Sequence, residues 1–108
     1  MPHEIYRPAA CAGAALLLSL TLLGCASAAK GSLLFREAGC VRCHIFRGVG
    51  NKGIGPDLSE VRGRRTPGWI AEQIEDPRRH NPLSRRPGFG SLSASQRESL
   101  VLYLTEKP

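Results

Sequence analysis

The chain has 108 residues, 15 of them Lys or Arg and 9 Asp or Glu, for a net charge of +6. That length suffices for one small domain, and no internal repeat is present. A core this small is marginal on its own and calls for an added staple.

In chain order, residues 1–8 carry Arg7, and a continuous apolar stretch runs from Ala9 to Leu23. These read as the n-region and h-region of a secretory signal. At about 15 residues the stretch falls short of the roughly 20 that a membrane-spanning helix needs, so an uncleaved anchor is the lesser reading. Two cleavage signals follow. Leu22-Leu23-Gly24-Cys25 resembles the bacterial lipobox, and Ala26-Ser27-Ala28 fits the small-residue rule of ordinary cleavage. The lipobox is preferred: residues 1–24 form the signal, and Cys25 becomes a lipidated N-terminus. Several acyl chains there would anchor stably, where one alone would not. The plain alternative makes Cys25 a small apolar residue of the signal, and Cys11 has only that reading.

Residues 25–29 read as a short linker and 30–108 as the folded domain. Lys30–Gly39 reads as a first helix, with Leu33, Leu34 and Phe35 apolar and Arg36 and Glu37 opposite. Arg47 to Ser59 is Gly-rich, contains Gly55-Pro56 and reads as a loop. Thr66-Pro67 is a helix start, with Thr as N-cap and Pro at the first helical position. That helix carries Trp69, Ile70 and Ile74 and stops before Pro77. Arg78 to Leu92 reads as a second loop. Ser93 and Gln96 form a capping box for a last helix whose stripe is Leu100, Tyr103 and Leu104. No strand-like alternation persists.

Cys40-Val41-Arg42-Cys43-His44 carries the chemistry. C-x-x-C-H is the attachment signature of c-type haem. On a helical turn, positions i, i+3 and i+4 share a face. Cys40 and Cys43 then reach the two vinyl groups of one porphyrin edge, and His44 points an imidazole nitrogen at the iron. Export would favour a disulfide for such a pair, but the following His and the downstream motifs favour haem. A redox motif would need a βαβ pattern, and a zinc site two more ligands, where the mature chain offers only His80 and Cys25. A buried porphyrin also supplies apolar mass to a small core.

The pattern from Lys30 to Leu104 resembles a small bacterial class I cytochrome c. The resemblance rests on Gly31-x-x-Leu34-Phe35, Cys40-Val41-Arg42-Cys43-His44, Gly55-Pro56-Asp57-Leu58, Arg65-Thr66-Pro67-Gly68-Trp69 and Leu100-Val101-Leu102-Tyr103-Leu104. It implies an all-α, cytochrome c-like fold: three main helices around one covalently attached haem c. It also implies that the first and last helices cross with Gly31 and Phe35 against Leu100 and Tyr103, which are core rather than chemistry. His44 would be the proximal ligand, with the Pro56 carbonyl holding its second nitrogen. Trp69 stands either at the haem edge or in the helix core. Arg64 and Arg65 are candidates to pair with haem propionates, since Arg suits bidentate carboxylate recognition. Glu72, Glu75 and Asp76 read as a solvated helix face.

The distal side departs from the family. The resemblance implies a Met before Pro in the loop ahead of the last helix, and Arg86 stands there. The one Met of the chain is Met1, which leaves with the signal. Arg86 offers the iron no lone pair. Three outcomes stay open. His80 swings onto the iron, or the iron keeps an open or water-filled site under Arg86, or Arg86 faces solvent or a propionate. Lys52 is a weaker candidate ligand, since its amine must first deprotonate. Against the ligand reading, His80 is an exposed loop histidine.

The leading function is single-electron transfer, not enzymatic turnover, on the periplasmic side of a bacterial membrane or in the soluble periplasm. The alternative is a haem c protein whose open distal site binds small ligands, in gas sensing or weak peroxidase-type chemistry. The basic excess suits acidic redox partner proteins or anionic membrane surfaces, or serves only solubility. Nucleic acid is a poor partner for an exported haem protein.

Overall fold

A computed structural model describes residues 25–51, 53–85 and 88–107. The signal segment, Lys52 and Arg86 lie outside the described residues.

Helix α1 spans Ala28–Glu37, and the Ser27 side chain caps it by accepting from the Lys30 N–H at 3.1 Å. The helix thus starts two residues before the expected Lys30. Ala28 and Ala29 belong to it rather than to a linker, because a Ser in extended conformation satisfies an otherwise orphaned N–H. It ends at Glu37, before Gly39, whose φ of 86° breaks the helical path. A 3₁₀ turn, Cys40–Arg42, follows.

The start of the expected Arg47–Ser59 loop folds back on Ile45–Phe46 as a small hairpin. Strand β1, Ile45–Phe46, pairs antiparallel with β2, Val49–Gly50. Arg47 and Gly48 both take positive φ, 48° and 82°, the geometry that lets a two-residue turn match strand twist. Two-residue strands are too short to show alternation, so the sequence carried no signal for them.

Helix α2, Val61–Arg64, is a single turn that sequence reasoning did not anticipate. Helix α3, Pro67–Glu75, starts as expected: Thr66 Oγ1 accepts from the Trp69 N–H at 3.1 Å, with Pro67 at the first position. It stops at the extended Asp76, ahead of a 3₁₀ turn over Pro77–Arg79. Helix α4, Ala94–Thr105, carries the complete Ser93/Gln96 capping box. Three main helices therefore stand where the chain was expected to form them. Among the described residues, no helix is long and apolar enough to cross a membrane.

The main packing is α1 against α4. Gly31 is buried under the Ser99 carbonyl and Tyr103 Cβ, so the two backbones approach at a point with no room for a side chain. The Ser27 N–H donates to Ser99 Oγ at 3.1 Å and ties the start of α1 to the same helix. The core comprises Phe35, Phe46, Val61, Ile70, Ile74, Leu100, Val101 and Leu104. Burying each large member contributes about 1.5–3 kcal/mol. Phe35, Phe46 and Tyr103 form an aromatic triangle, with Phe46 and Tyr103 edge-on at 4.7 Å. The preferred tilted geometries add about 0.5–1.5 kcal/mol per pair. The hairpin is thereby pinned to the α1/α4 crossing, which holds the segment just after His44 in place.

Candidate haem site

Cys40, Cys43 and His44 lie on one tight helical turn. The Cys43 N–H donates to the Cys40 carbonyl at 3.2 Å, and the His44 N–H to the same oxygen at 3.0 Å. Both cysteines are half-buried, and neither is in a disulfide. His44 is 6% exposed. A buried imidazole needs its polar atoms satisfied, and Nδ1 lies 2.8 Å from the Pro56 carbonyl oxygen. A carbonyl only accepts, so Nδ1 carries the proton and Nε2 keeps the in-plane lone pair.

The loop of residues 53–56 is strapped over this turn. The Gly55 N–H donates to the Cys43 carbonyl at 2.9 Å. A Cβ on Gly55 would fall within the imidazole, 2.6 Å from Nδ1 and 2.9 Å from Nε2. Glycine is the residue that lets this backbone lie against the ring. Gly50 approaches the His44 carbonyl with φ of 112°, again a position for glycine.

Cys40 and His44 open onto a cleft walled by Phe35, Leu58, Ile74, Phe89, Leu100 and Leu104. Every wall residue is apolar, as a largely apolar macrocycle requires. Two thiols on one turn, a histidine with fixed tautomer and an apolar cleft fit a covalently attached haem c. Cys40 and Cys43 would form the thioethers, and His44 Nε2 would face the iron. When bound, the group supplies a one-electron redox couple. The polypeptide contributes orientation of the imidazole, basicity through the Pro56 carbonyl, and exclusion of water.

Among the described residues, His80, Trp69, Arg64 and Arg65 do not line that cleft. His80 does not reach toward it. Its Nδ1 lies 2.8 Å from Gln73 Oε1 and its Nε2 3.0 Å from Glu72 Oε2, and its ring stacks on Trp69. Helix α3 thus supplies partners for both ring nitrogens, and ligation by His80 stays one of the three distal outcomes. Glu72, expected to be merely solvated, is one of those partners. Trp69 is half-buried against the core and bears both His80 and the Arg65 guanidinium, the latter 4.3 Å from its centroid. Arg65 is thus a cation–π partner, and Arg64 donates to the Asp57 carbonyl at 3.1 Å.

Sequence reasoning assigned no role to Leu58, Ile74 or Phe89 in the cleft, nor to Gly55 as a space for the ring. Phe89 had one legible signal, a lone aromatic in a Pro- and Gly-rich loop. Its N–H donates to the Ile74 carbonyl at 3.0 Å, bringing that loop over the cleft.

The sequence model of the family described as Cytochrome c matches residues 28–107. That span begins at the first residue of α1 and takes in the cysteine pair, His44, the Pro56 loop and α4. Members of this family carry covalently attached haem c, typically one per domain, and usually act as electron carriers rather than enzymes; this chain belongs to the cytochrome c family.

Proposed function

We propose that the chain is a mono-haem electron carrier of the bacterial cell envelope, with Cys40 and Cys43 as thioether residues and His44 as proximal ligand. The observation that carries the reading is the buried His44, its Nδ1 held 2.8 Å from the Pro56 carbonyl at the mouth of an apolar cleft. A rigid axial ligand in a dry site keeps the reorganisation cost of a one-electron change low. The secretory pattern of residues 1–24 supports export, and the Gly24-Cys25 step supports lipid anchoring at Cys25. The net charge of +6 supports acidic redox partners.

The test is a redox titration of the mature protein made alongside cytochrome c maturation machinery. A reversible one-electron couple, with the pigment resisting acid-acetone extraction, is expected. A colourless product, or one that releases its haem, overturns the reading. Mass spectrometry of the mature N-terminus tests the anchor: diacylglycerol on Cys25 is expected.

One observation favours a second reading, in which an open distal site binds small ligands. His80 has both nitrogens engaged on α3, and the chain has no Met beyond Met1. Carbon monoxide uptake by the ferrous protein at neutral pH separates the two: ready binding favours the open site, and refusal favours a filled sixth position.

A further inference from the structure

Pro56 has no N–H through which its own position could be pinned. Its carbonyl lies in the planar peptide that leads into Asp57. Whatever fixes Asp57 therefore aims the oxygen that accepts from His44. Asp57 is fixed twice. Its Oδ1 accepts from the Ser59 N–H at 2.8 Å and from Ser59 Oγ at 2.6 Å. Its carbonyl accepts from Arg64 Nη2 at 3.1 Å. Ser59 Oγ in turn accepts from the Arg47 N–H at 2.8 Å, which joins the clasp to the hairpin turn. Between them the Leu58 N–H donates to the Ile45 carbonyl at 2.7 Å, one residue beyond His44.

We infer that Asp57 and Ser59 are positioning residues for the axial imidazole, setting the strength of the His44–Pro56 hydrogen bond and through it the reduction potential. The inference rests on the electron-carrier reading. The route from both residues to His44 runs through the backbone of the Pro56–Asp57 peptide. Asp57 is exposed and Ser59 half-buried, and exposed hydrogen bonds of this kind add little to stability. Their effect is on direction: a well-aimed carbonyl makes the imidazole a stronger donor, which favours the ferric state and lowers the potential.

Asp57 also carries a charge, which a pair of variants separates from positioning. D57N keeps an acceptor oxygen and drops the charge, whereas D57A drops both. The experiment uses the haem-loaded protein and reads two quantities, solvent exchange of the His44 ring N–H by NMR in the ferrous state and the reduction potential. In D57A the ring proton is expected to exchange roughly fivefold faster or more, the factor for losing about one neutral hydrogen bond. In D57N it stays near the wild-type rate. The potential rises in D57A beyond its rise in D57N. S59A moves both quantities the same way by less, since the backbone bond from residue 59 remains, and it carries the test if D57A does not mature. Equal exchange rates and equal potentials in D57A and D57N overturn the inference and leave the carrier reading intact. A wild-type product without haem overturns both.

Discussion

The imidazole of His80 lies nearly parallel to the indole of Trp69, with centroids 4.5 Å apart and planes 10° apart. This contact and the two hydrogen bonds to Gln73 and Glu72 turn His80 into a brace between α3 and the turn that follows it. H80A is therefore expected to leave the ferric spin state unchanged. The stacking is worth about 0.5–1.5 kcal/mol. The pair with the half-exposed Glu72 adds at most about 1 kcal/mol, screened by solvent. Chemical unfolding of the holoprotein should show a loss of about 1 kcal/mol, dominated by the stack. Conversion of a low-spin spectrum to high-spin in H80A would instead place His80 on the iron.

Gly31 tests the helix crossing. Replacing a helical Gly by Ala normally gains up to about 1 kcal/mol in propensity. Here the added Cβ would overlap the Ser99 carbonyl and sit 2.7 Å from Tyr103 Cβ. Backbone atoms cannot rotate away, so α1 and α4 must part, and overpacking of this kind costs about 1–3 kcal/mol. A lower unfolding midpoint for G31A is expected. An unchanged or raised midpoint would mean that the helices do not meet at Gly31.

These two cases show what was legible. Gly31, Phe35, Leu100 and Tyr103 were readable as a crossing because helical spacing and a family motif pointed the same way. The caps at Thr66 and Ser93 were readable because each satisfies a local backbone need. The start of α1 at Ala28 was not, because Ser27 lies among small residues that also suit a linker or cleavage site. The 45–50 hairpin depends on Phe46 packing against Tyr103, a contact far apart in sequence. His80 could be read only as a residue type able to ligate. Its actual partners, Gln73 and Glu72, sit seven and eight residues earlier, and only the bend at Asp76 brings them back within reach.

Gly55 tests the imidazole cradle. In G55A the new Cβ would press on the His44 ring, 2.6 Å from Nδ1. The ring can escape only by leaving the Pro56 carbonyl. A shifted ferric absorption spectrum is expected, together with a loss of about 1–3 kcal/mol from overpacking. A spectrum identical to wild type would show that the ring has room to spare.

The distal position makes the last test, because it reads ligand chemistry rather than packing. The chain carries Arg86 where the family resemblance implies Met, and its one Met is Met1. A guanidinium cannot donate to iron, so the ferric wild-type protein is expected to lack the methionine-to-iron charge-transfer band. R86M introduces a thioether before Pro87 without altering Cys40, Cys43 or His44. The variant is expected to gain that band and to titrate at a higher potential, since Met ligation opposite His raises it. It should also lose any carbon monoxide uptake seen in the wild type, because the added sulfur competes for the same coordination position. The band already present in the wild type would refute the assignment of the distal loop. An R86M protein with wild-type spectrum and potential would show that position 86 does not reach the iron.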